Sequence, residues 1–289
     1  MDNRGIAPWR WMMIIFGSVA FFIGVVTFFF LIDDPKTKYL QLNVEQQVIV
    51  EARLQDNAVF RTRTIRRGHI IEALKEKRLW AFCSSTLLLC LEQGGLITSS
   101  TTITESFGYT NTEALYLAFP VGIVVLIFAL SSAFIVRRTK QTLYIGSIAL
   151  FTAAIGMALC VAIPLSKYKV IGLYISLCSP VGQTLIVLSV ANNVSGYTKK
   201  IFYNGMVAMF YTFGNFLGPF VIEPMFAPTY VGSMTIYSFA LILASLCLLV
   251  ARREMALVNQ SRKQRPTSAI SCLEDDLTDV QDQNFVYRL

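Results

Sequence analysis

Long apolar blocks separated by short polar connections dominate the chain. Seven such blocks run at about 11–31, 79–100, 114–136, 141–163, 169–191, 201–222 and 231–250. A hydrocarbon layer ~30 Å thick asks for about 20 apolar residues from a helix that rises ~1.5 Å per residue. Each block therefore predicts a membrane-spanning helix, and the fold class is an all-α polytopic membrane protein with about seven transmembrane helices. A water-soluble bundle of the same helices would leave little chain to cover them.

The pattern divides the chain into a short outer N-terminus (1–10), a first span (11–31), a basic loop (32–78), a six-helix bundle (79–250) and a polar tail (251–289). Within the loop, "LNVEQQVIVEARLQ" places Asn43 three residues before Gln46, and Val44, Val48 and Ala52 recur at helical spacing, which predicts a short amphipathic helix. Arg61, Arg63, Arg66 and Arg67 follow as a basic cluster, and "GHIIEALKEKRLW" predicts a second helix leading to Trp80. The single histidine, His69, reads as a solvated loop residue. The tail passes from basic to acidic with nothing to bury, which predicts disorder.

Composition agrees: 54% of residues are hydrophobic and only 15% are charged. The formal charge of +7 raises nucleic acid as a partner, but the positions of the basic residues assign it to topology. With the N-terminus outside, all 25 Lys and Arg residues fall on the inner side except Arg4, Arg10, Lys167 and Lys169, as the positive-inside rule requires. That predicts an outer N-terminus, a cytosolic C-terminus and no nucleic-acid partner. Five of the six cysteines lie inside apolar blocks and read as small packing residues. The sequon at Asn193 falls on the inner side and predicts no glycan. No metal-ligand spacing, cofactor motif, phosphate loop or histidine-based triad is present, so the sequence points away from an enzyme.

The functional candidates are polar residues inside the spans. Glu92 lies 13 residues beyond Leu79, roughly 20 Å along the helix. A charge there costs ~2.5–3.5 kcal/mol even on an insertion scale. Ser85, Glu92 and Ser99 recur every seven residues with Gly95 beside them, a stripe that predicts a face against other helices or a cavity. Glu92 is the candidate proton carrier, or else simply bonds a neighbour, and Gln93 stands next to it. In the sixth span, Asn204, Ala208, Tyr211 and Asn215 share one face, so Tyr211 and Asn215 are candidates either for a substrate path or for interhelical hydrogen bonds. Gly214 and Gly218 form a small-xxx-small packing pair with Pro219 just beyond, and Gly94 and Gly95 in the second span also read as helix-packing residues. Pro180, Gly182 and Gln183 predict a break in the fifth span, with Gln183 on the pathway. Asn192 and Asn193 read as helix-capping residues.

These motifs form a recognisable set. "IAPWRWMMIIFG", the Gly94-Gly95 pair, "SFGYTN", "ANNVSGYTKK", "FGNFLGP" and the ending "DLTDVQDQNFVYRL" resemble the C-terminal part of the fungal allantoate permease family, in the anion:cation symporter branch of the major facilitator superfamily. The resemblance implies a proton-coupled carrier of small organic anions such as nicotinate, allantoate, pantothenate or biotin, multi-pass in the plasma membrane. In that register the first span is similar to helix six of twelve, and a missing N-terminal half or a second chain completes the carrier. Truncation is thus expected, and transport is not expected of the chain alone. Glu92-Gln93 departs from the family, which more often has proline and asparagine before the two glycines. Two other readings remain open: an efflux carrier for a secondary metabolite, and a seven-helix receptor, whose usual D-R-Y and N-P-x-x-Y sequences are absent.

Overall fold

The computed structural model describes residues 7–31, 42–43, 45–50, 65–164, 166–222, 226–227, 229–264 and 276–289. Among these there are helices and no strands. The chain forms two compact units, 1–57 and 58–289.

In the first unit, α1 spans Pro8–Phe30 and ends as Leu31 turns to extended backbone. Residues 45–50 are also helical. Their start has half of the anticipated capping box, because the Gln46 side chain accepts from the Asn43 N–H at 3.1 Å. Arg61 and Arg63 lie outside the described residues.

The second unit is a helical bundle made of α2 (Arg67–Lys75), α3 (Lys77–Ser106), α4 (Asn111–Ala118), α5 (Val121–Thr139), α6 (Thr142–Ala162), α7 (Lys169–Ser176), α8 (Ser179–Asn193), α9 (Tyr197–Leu217) and α10 (Val231–Lys263). The long helices α3 and α10 run against each other at its centre; α10 also packs on α6, α9 on α3, and α6 on α7 and α8. Apolar residues such as Phe82, Leu89, Leu150, Ile186, Leu241 and Leu248 are buried along these seams, while α4 and α5 leave most of their apolar side chains exposed, as lipid-facing helices do.

Among the described residues, six helical stretches are long and apolar enough to cross a membrane: Trp9–Phe30, Lys77–Ser106, Asn111–Thr139, Thr142–Ala162, Lys169–Asn193 and Val231–Lys263. The sixth of the seven predicted spans, α9, has 21 residues and thus sufficient length, but Lys199, Lys200, Asn204, Tyr211 and Asn215 keep it out of that set. Two spans are interrupted. Pro120, which has no N–H to donate, separates α4 from α5. Thr110 and Glu113 cap the start of α4 reciprocally, at 3.4 and 2.8 Å.

The break foreseen near Pro180 falls between α7 and α8. Leu177 and Cys178 donate to carbonyls three residues back, at 3.3 and 3.2 Å, so the freed backbone groups are rebonded within the turn. Beside this break lies a cavity of about 180 Å³ lined by Leu96, Ser100, Thr104, Leu173, Tyr174 and Leu177.

Three expectations are corrected. The tail does have something to bury: α10 continues to Lys263, and Asp276, Thr278, Asp279 and Tyr287 are all buried. His69 lies in α2 and is 4% exposed, under the turn at Gly196 and beside Thr278. Asn193 does not cap its helix, because its amide is committed to the tail. It donates to the Arg288 carbonyl at 2.9 Å and accepts from the Arg288 N–H at 2.6 Å.

Candidate functional site

Glu92 is completely buried in α3. The seven-residue stripe points it into packing rather than into open space: Ser85 donates to the Ala244 carbonyl of α10 at 2.9 Å, and Ser179 of α8 donates to Glu92 Oε2 at 2.7 Å. The second carboxyl oxygen, Oε1, is buried with no hydrogen-bond partner, and the ion pairs among the described residues do not include Glu92. Gln183 sits one turn beyond Ser179 on the same face of α8, and its Oε1 is likewise buried and unpartnered, as is Nε2 of Gln93. Glu92 thus belongs to a seam between α3 and α8 that holds more polar atoms than it pairs.

The four glycines meet in one crossing. A Cβ on Gly214 would come within 2.6 Å of the Leu87 carbonyl oxygen, and one on Gly218 within 2.6 Å of both the Gly95 nitrogen and the Leu91 oxygen. A Cβ on Gly94 would strike the backbone of Asn215, and one on Gly95 the hydroxyl of Tyr237. Backbone of α3 therefore lies directly on backbone of α9, a closeness only glycine permits. Tyr237 of α10 closes the crossing by donating to the Gly218 carbonyl at 2.9 Å. Pro219 ends α9 and enters the short 3₁₀ turn Gly218–Val221.

Tyr211 and Asn215 are not brought to Glu92. Asn215 donates to the Tyr211 carbonyl of its own helix at 2.9 Å. Asn204, Tyr211 and Thr212 are exposed and Asn215 is half-buried, so the polar face of α9 turns away from the bundle.

Sequence reasoning missed a second polar centre, at the end of the bundle where α3 and α9 begin. Asp279 is fully buried and receives Arg78 at 2.6 Å and Lys199 at 2.9 Å. It also accepts the Tyr287 hydroxyl at 2.6 Å. Lys199, also fully buried, reaches Glu72 at 2.8 Å as well as Glu76, and Tyr203 donates to Glu76. Burial by itself would raise the Asp279 carboxyl, but Arg78 and Lys199 outweigh it and hold the group below the usual carboxylate range. Burial pushes the Tyr287 hydroxyl upward, which keeps it a donor. The faint sequence signals are the i, i+4 spacing of Glu72 and Glu76 and the acidic run before Thr278.

Among the described residues, no group of three or more His, Cys, Asp or Glu side chains is placed to hold a metal ion. The protein's relatives agree with a membrane carrier. The chain is 28% identical to an allantoate permease of Saccharomyces cerevisiae, over 100% of this chain and 56% of that protein. It is 24% identical to a thiamine pathway transporter of the same yeast, over 99% and 55% respectively, and 22% identical to an MFS-type transporter of Penicillium expansum, over 96% and 59%. It spans a little over half the length of these relatives. No solved structure matches it. A family model, that of the Major Facilitator Superfamily, matches residues 4–221. With membrane-length helices, a glycine-sealed crossing and transporters as its relatives, this chain belongs to the Major Facilitator Superfamily.

Proposed function

We propose that the chain is one half of a proton-coupled secondary transporter of small organic anions, residing in the plasma membrane with its N-terminus outside. A further set of helices, upstream in the same protein or on a second chain, completes it. The polar face of α9 carries this reading. Asn204 and Tyr211 are exposed on a membrane-length helix, and hydrocarbon offers them no hydrogen bond. Such a face belongs beside a water-filled path or a second protein layer.

Glu92 supplies the site for the coupled proton. Its Oε2 takes the Ser179 hydroxyl, its Oε1 is unpartnered and no ion pair among the described residues includes it, so a negative charge there lacks the partners that offset its desolvation. Ionisation requires a conformation that opens the α3–α8 seam to water or to a cation. The break between α7 and α8, beside the cavity at Tyr174, gives that seam a place to open. The name of the allantoate permease supports a carboxylate cargo. Membership in a transporter superfamily argues against the receptor topology.

The test joins this chain behind the part of the yeast allantoate permease that it does not match. Vesicles containing it are loaded or bathed with labelled allantoate, nicotinate or pantothenate at acidic and neutral external pH. The expected result is anion entry that rises on the acidic side. Exit in preference to entry would make it an efflux carrier. The absence of pH-dependent flux in either direction, for every anion tried and with the protein shown to be folded, would sink the coupled-carrier reading.

A further inference from the structure

Residues 276–289 are held by side chains from four helices and by a main-chain N–H of a fifth. Asn193 at the end of α8 bonds both main-chain groups of Arg288, and Asn259 of α10 does the same to Tyr287, at 2.9 and 3.0 Å. Arg262 of α10 donates to the Asp279 carbonyl at 2.7 Å and also to that of Phe285. Thr142 at the start of α6 donates to the Leu289 carbonyl at 2.8 Å. Arg78 of α3 and Lys199 of α9 take the Asp279 side chain, and Arg78 also lies over the Tyr287 ring, 4.5 Å from its centre. Asn side chains gripping main chain, buried cations on one carboxylate and a cation on an aromatic face are how proteins bind acidic peptides.

We infer that this end of the bundle is a binding site for an acidic peptide with an aromatic residue near its end, and that its resident ligand is the chain's own last fourteen residues, held dissociably. Docked, the segment joins the ends of α3, α6, α8, α9 and α10. Released, it leaves Arg78 and Lys199 with Glu72 and Glu76 and takes from Arg262 its two carbonyl acceptors, and those ends come apart more easily. The site therefore sets how readily the charged end of the bundle moves, and any event that keeps the segment away acts as a switch. This inference stands independently of which solute, if any, the protein carries.

The test begins with the full chain, purified in detergent with a protease site placed between Gln264 and Asp276. It is cleaved after folding, and a labelled synthetic peptide of residues 276–289 is added. The labelled peptide is expected to replace the cut segment saturably and to raise the melting temperature as it does so. A peptide carrying Asp279→Asn is expected to bind about 30-fold more weakly or worse, as when one partner of a buried charge pair is lost. Tyr287→Phe weakens binding less, because the ring under Arg78 is kept. Two results would overturn the inference. One is a segment that never exchanges unless the helices unfold, which makes it part of the core. The other is equal binding of the Asp279→Asn peptide or of a scrambled peptide, which removes the specific site.

Discussion

Substitution of Gly218 by alanine tests the contact on which the bundle's shape depends. The new Cβ would sit 2.6 Å from the Gly95 nitrogen and the Leu91 oxygen and 2.9 Å from the Gly94 carbonyl carbon. All three are backbone atoms of α3, so no side chain can swing aside. Restoring ordinary contact at 3.4 Å requires α3 and α9 to separate locally by roughly 0.8 Å, the difference from 2.6 Å. A gap of that size forfeits about a quarter to a half of the dispersion energy along the seam, and overpacking of this kind costs about 1–3 kcal/mol. At about 2–4 °C per kcal/mol for a chain of this size, the melting temperature falls by roughly 2–12 °C. Cys83, Cys90, Cys160 and Cys178 are buried and free, so a thiol-reactive fluorescent dye reports melting in detergent. Gly205 lies in α9 with nothing within 4 Å of its added Cβ, and Gly205→Ala is expected to leave the melting temperature unchanged or higher. Equal melting of Gly218→Ala and the unsubstituted chain, or equal loss in both variants, would refute the reasoning.

Asn193→Ala removes both hydrogen bonds to Arg288 and leaves its main-chain groups without those partners, a loss of about 1–3 kcal/mol. Faster hydrogen exchange at the Arg288 amide checks it, and unchanged protection there would count against the Asn193 grip. Asp279 fixes a pH dependence. Arg78, Lys199 and Tyr287 touch its carboxylate, with Glu76 and Arg262 around them. Its folded-state pKa lies below the ordinary value. Its contribution to stability is therefore fully present above the usual carboxylate range and is lost only as pH falls through the lower, folded-state value. The tail is expected to stay docked from neutral pH down to that range and to loosen only in stronger acid, read from exchange at the Tyr287 amide. Release at mildly acidic pH would contradict this.

The spans are legible in the sequence because apolar length is dictated by the bilayer rather than by tertiary context. Gly214 and Gly218 are legible as a packing surface for the same reason, but spacing within one helix does not name the helix that it meets. Only the structure pairs them with Gly94 and Gly95. Glu92 announces itself as a charge among leucines, whereas its donor Ser179 is a small polar residue of a kind common in membrane helices and carries no such signal. Polar side chains also explain why α9 is the span whose membrane character is least evident: the face that suggests a path is what lowers its hydropathy. The tail is misread from sequence because its charges are weighed one at a time. Asp279 is buried only because Arg78 and Lys199, distant in sequence, arrive together to receive it, and periodicity carries no record of such a meeting.

The most direct test of the carrier account compares the parent protein with its Glu92→Gln variant, both in the carrier fused to the yeast permease segment, by recording proton entry and labelled-anion entry in the same vesicles. Glutamine keeps an acceptor for Ser179, so the fold should hold, with a melting temperature close to that of the parent. The parent is expected to take up anion and proton together, whereas Glu92→Gln still exchanges anion across the membrane but no longer responds to a pH gradient. Superimposable pH profiles for the two proteins would contradict it.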